Sequence, residues 1–143
     1  MKKLAILTLG ISSLFVSCQS NEETKNQKLA KQAIEIHDEI MPQISNFDKV
    51  SVNIDSILMD LNTLKSKNPA LDSVLVKTDL KNLQSSIEKA TDNMMVWMKD
   101  YDATNTDTDY QQKMLDRVTE MKSEFDSVNV QITKIYNPIV PKK

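Results

Sequence analysis

Glycine is almost missing from this chain of 143 residues. Its one glycine, Gly10, lies within the first 17 residues. Tight hairpin turns and phosphate-cradling loops depend on glycine for positive φ. A β-rich or nucleotide-binding fold is therefore excluded for the rest of the chain. Cysteine is equally scarce, with Cys18 alone, so no intrachain disulfide and no cysteine-rich metal site exists. There is one histidine, His37, and one tryptophan, Trp97. With a single imidazole and no spacing of a catalytic triad, the residues point away from an enzyme. A large positive charge is missing too. Without Lys2 and Lys3 the chain has 16 basic against 20 acidic residues, a net charge of −4. That balance excludes a nucleic-acid partner.

The first residues read as an export signal. Met1-Lys2-Lys3 is a short positive start, Leu4 to Val16 is apolar or small, and Ser17-Cys18 follows. The apolar run is far shorter than the roughly 20 residues that span a bilayer as a helix, so residues 1–17 are expected to be removed rather than to cross the membrane. Leu14-Phe15-Val16-Ser17-Cys18 resembles the bacterial lipobox. That resemblance implies a palmitate-bearing, lipid-anchored lipoprotein with Cys18 as its acylated first residue. Gln19 in place of Asp after the cysteine implies the outer membrane, with periplasmic face and cell surface both open. Residues 18–24 read as the lipidated cysteine and a polar tether, 25–137 as the folded unit and 138–143 as a tail.

Three apolar stripes recur every three or four residues, the signature of amphipathic helices. The first runs from Leu29 through Ala33, Ile40, Phe47 and Ile54 to Leu61. The second runs from Leu71 and Val74 through Leu83, Ile87, Met94 and Trp97 to Tyr101, and the third from Tyr110 through Met114, Val118 and Phe125 to Ile135. Short connections between long helices predict an all-α, antiparallel three-helix bundle with coiled-coil-like packing. Pro42 is expected to kink or break the first helix, giving four helical segments if the break is complete. Asn68-Pro69 predicts the start of the second helix, as a cap followed by proline at the first position. Asn137-Pro138 ends the third.

Antiparallel pairing about the two connections predicts neighbours across the bundle. It sets Met98 opposite His37 or Ile36, Met94 opposite Ile40 or Met41, and Met114 beside Trp97. Imidazole and thioether are the soft ligands that select Cu(I), and His37 with Met41, like Met94 with Met98, shares one helical face. His37, Met41, Met94 and Met98 are therefore candidate metal ligands, with Trp97 and Met114 nearby. A His/Met pair also serves as haem axial ligands. Against both stands methionine's use as a flexible filler of irregular core space, which needs no cofactor at all.

The strings His37-Asp38-Glu39-Ile40-Met41-Pro42 and Met94-Met95-Val96-Trp97-Met98 resemble blocks in a family of small Bacteroidetes lipoproteins often labelled "viral A-type inclusion protein". The resemblance implies a lipoprotein signal and three helices. It implies no activity. The expectation from the residues is a non-enzymatic, lipid-anchored interaction or structural module in the envelope, with an unidentified protein partner and self-association open; Cu(I) binding or sensing is the alternative.

Overall fold

In the computed structural model, which describes residues 17–140, four α-helices follow one another: α1 (Ser17–Met59), α2 (Leu61–Lys67), α3 (Ser73–Asp100) and α4 (Thr108–Gln131). A π-helical turn (Ile132–Tyr136) follows α4 directly. Its mark is the Asn137 amide bonded to the Ile132 carbonyl at 3.0 Å. Among the described residues there is no strand. Residues 1–16 of the expected signal and 141–143 of the tail lie outside the described residues. Ser17, expected to end the signal, and residues 18–24, expected to be the lipidated cysteine and tether, belong to α1.

Alternation of buried positions every three or four residues draws α1, α3 and α4 around one core. Ala33, Ile40, Phe47 and Ile54 from α1, Leu80, Leu83 and Met94 from α3, and Val118 and Phe125 from α4 are all buried. Burying a side chain of the size of Phe or Leu contributes about 1.5–3 kcal/mol. Phe47 and Phe125 stack at its centre, ring centroids 5.1 Å apart. Polar ties fix the directions. Gln84 of α3 donates to Ser51 Oγ of α1 at 3.2 Å and to Asp55 Oδ1 at 2.8 Å, while Tyr101 reaches back to Ala30. Thus α1 and α3 are antiparallel. Asn129 of α4 donates to Gln43 at 2.7 Å, and Asn53 donates to the Tyr136 hydroxyl at 2.9 Å, so α1 and α4 run parallel. The up-down-up bundle is the one the stripes predict.

The helix breaks differ from expectation. Helix α1 continues through Pro42 without interruption. Pro42 is exposed, so the one backbone bond it removes, to the Asp38 carbonyl, falls on the solvent side. A carbonyl there can be hydrated, which keeps the defect local. The interruption sits instead at Asp60, where φ is −103° and ψ is 16°. Helical bonding bridges it, for the Leu64 amide still reaches the Asp60 carbonyl at 3.1 Å. Asn68 also takes another role. Its amide bonds to the Leu64 carbonyl at 2.9 Å and ends α2 rather than starting the next helix. Helix α3 starts four residues later than Asn68-Pro69 predicts, because Asp72 offers the stronger cap: one carboxylate oxygen accepts from the amides of Val74 and Leu75, both at 3.0 Å.

Candidate functional site

Three aromatic rings form a ladder where the start of α1 meets the end of α3. Trp97 lies on the core stripe of α3, and its buried indole N–H donates to the main-chain carbonyl of Met114 on α4 at 2.9 Å. One turn on, Tyr101 stacks on Trp97 with centroids 4.4 Å apart and planes 18° from parallel. On α1, the His37 ring stacks on Trp97 at 5.7 Å and 24°. Offset stacking of this kind adds about 0.5–1.5 kcal/mol per pair beyond area burial.

The Tyr101 hydroxyl and one nitrogen of His37 are held. Tyr101 donates its hydroxyl hydrogen to the Ala30 carbonyl at 3.1 Å. Burial, then the neighbouring Tyr110 and Asp102, push its phenol above the ordinary range. His37 Nδ1 lies 2.9 Å from Asp38 Oδ1. A carboxylate only accepts, so this contact places the imidazole hydrogen on Nδ1 and leaves Nε2 without it in the neutral ring.

Outside the ladder runs a surface groove of about 360 Å³, lined by Ile34, His37, Asp38, Trp97, Met98, Tyr101 and Ala103. Below it, the loop after α3 is clasped from both sides. Asn26, buried near the start of α1, donates to the Thr106 carbonyl and accepts from Thr108 Oγ1 at 2.6 Å. Gln111, fully buried, donates to the carbonyls of Asp102 at 3.0 Å and Asn105 at 2.8 Å. Asp102 accepts from the Thr104 hydroxyl and amide, and these bonds hold its carboxyl below the ordinary range.

The expected ligands separate into two groups. His37 and Met98 line the groove together. Met94 is fully buried in the core, Met114 is nearly so, and Met41 is half-buried against the same cluster. Met114 Sδ lies 3.6 Å from an Arg117 Nη1. Trp97, expected near the ligands, is buried and has the His37 and Tyr101 rings stacked on it. Among the described residues no three His, Cys, Asp or Glu side chains converge as a metal site, a count that leaves out thioether ligands. Cys18 lies in α1, and no described helix is long and apolar enough to cross a membrane.

Asn26, Gln111 and the Tyr101 step of the ladder were not foreseen as a unit. Gln111 did leave a trace in the sequence. It stands one turn before Met114, on the core side of α4, where a polar residue needs buried partners. Comparison of the chain with protein-family models, with curated proteins and with solved structures finds no match.

Proposed function

We propose that this chain is a lipid-anchored outer-membrane lipoprotein whose bundle is a non-enzymatic interaction module for a protein partner in the envelope. The lipobox-like residues ahead of Cys18 support the anchor. The His37–Pro42 and Met94–Met98 strings support grouping the chain with the small Bacteroidetes lipoproteins they resemble.

One observation carries the interaction reading. At the end of α1 opposite Cys18, where α1, α2 and α3 meet, large apolar side chains face solvent: Met59 is 88% exposed, Val74 75% and Leu75 56%. Three large apolar side chains exposed at one end of the bundle are the observation from which a contact face is read. Val74 also belongs to the helical stripe that reads as core, and here it has nothing to pack on. The haem reading draws no support from the packing, since Met94 and Met114 are taken up by the core.

The test is a photo-crosslinking amino acid in place of Met59 in living cells, with mass spectrometry of the N-terminal peptide for the acyl group. One discrete adduct is expected, lost in Val74→Asp/Leu75→Asp while the helical signal is kept. An adduct twice the chain's mass identifies a second copy as the partner. An unmodified Cys18 overturns the anchor. Absence of any adduct overturns the partner.

A further inference from the structure

The geometry points to a soft-metal site in the groove beside the aromatic ladder, where His37 Nε2 and Met98 Sδ bind one Cu(I). It does not rest on the apolar tip or on the anchor.

Three observations converge. The first is the orientation of His37. Metal-binding imidazoles nearly always give their second N–H to a carboxylate or carbonyl, which fixes the tautomer and the ring plane. Asp38 does this at 2.9 Å, and the Trp97 ring fixes the plane a second time. The free nitrogen is thus Nε2, already rid of its proton in the neutral ring. The second is the place of Met98. It lines the same groove and is 41% exposed. A methionine used as filler is enclosed, as Met94 is; Met98 is not, and it borders the open groove. The third is the donor set. One imidazole and one thioether, with no site of three His, Cys, Asp or Glu around them among the described residues, suit a soft d¹⁰ monovalent ion and poorly suit Zn²⁺ or Mg²⁺. The groove, about 360 Å³, has room for the ion. Binding forms two dative bonds, releases no proton from the neutral ring and leaves the metal as Cu(I).

The experiment titrates the full chain in detergent micelles with Ag(I), a redox-stable probe of the same class, and reads Trp97 fluorescence and calorimetric stoichiometry. One Ag(I) per chain is expected, with quenching of Trp97, and Zn(II) is expected to give no response. Met98→Leu keeps the apolar shape of an exposed side chain, so it should fold normally and bind at least tenfold more weakly; His37→Ala should do the same. Met94→Leu, in the core, should bind as the parent chain does. The proposal is overturned by a parent chain that binds no Ag(I) at micromolar metal. It is equally overturned if affinity survives in Met98→Leu, or falls in Met94→Leu instead.

Discussion

The indole N–H of Trp97 on α3 meets the main-chain carbonyl of Met114 on α4 at 2.9 Å. This bond ties two antiparallel helices together at the level of the candidate site. It also sets the plane on which His37 and Tyr101 stack. Replacing Trp97 with Phe keeps a ring in the core but removes the donor and leaves a gap. Trp97→Phe should lower the unfolding free energy by about 1–3 kcal/mol, the range for a lost buried hydrogen bond with some loss of packing. Urea denaturation followed by far-UV circular dichroism gives the value, and an unchanged m-value shows that the fold is kept.

Tyr101 gives a prediction with a sign in pH. Its phenol titrates above the ordinary value of about 10. In alkali the unfolded chain therefore loses this proton before the folded chain does. Stability from this group is complete below the unfolded value and is lost as pH rises through the folded one. Tyr101→Phe should cost about 0.5–1.5 kcal/mol at neutral pH, through loss of the bond to Ala30. It should also flatten the alkaline arm of the stability profile. An alkaline arm as steep in Tyr101→Phe as in the parent would assign the effect to other tyrosines.

Pro42 stands in the interior of a continuous helix with its ring exposed. Alanine there restores the missing N–H and the bond to the Asp38 carbonyl. Pro42→Ala should stabilise the bundle by about 1–3 kcal/mol, up to the difference in intrinsic helix propensity. A thermal melt decides it. A lower melting temperature would show that the proline shapes α1 in a way the packing depends on.

Asp72 and Asn68 can be told apart directly. Asp72→Ala removes the acceptor for two amides and should cost about 0.5–2 kcal/mol. Asn68 caps no amide of α3 with its side chain, and Asn68→Ala should stay within about 0.5 kcal/mol of the parent. Equal losses in the two variants would return the start of α3 to Asn68-Pro69.

The stripes made the bundle legible because long amphipathic helices joined by short connections pack as antiparallel neighbours. Pairing about the connections also set Met114 beside Trp97, where the indole bond now joins them. The errors came where two local signals competed. Pro42 signals a break wherever the lost bond is buried, and whether it is buried depends on which face the ring takes. Asn68-Pro69 and Asp72 are both good helix starts, and only the geometry of the connection selects between them. The groove was half legible. Helical spacing puts His37 with Met41, and Met94 with Met98. The stripe places Met94 inside, but Met98 lies only about 40° round the helix from it, so spacing alone does not set Met98 apart. Asn26 was invisible, since its partners stand some 80 residues along the chain, and Gln111 left only its place on the core side of α4.

The uninterrupted passage of α1 through Pro42 makes this helix a ruler. At about 1.5 Å per residue, its 43 residues measure roughly 65 Å from one end to the other. On the proposed lipid anchor at Cys18, with the axis upright, that length would set the height at which Met59, Val74 and Leu75 stand above the bilayer. A partner on the same membrane could meet those residues only if it stood as tall.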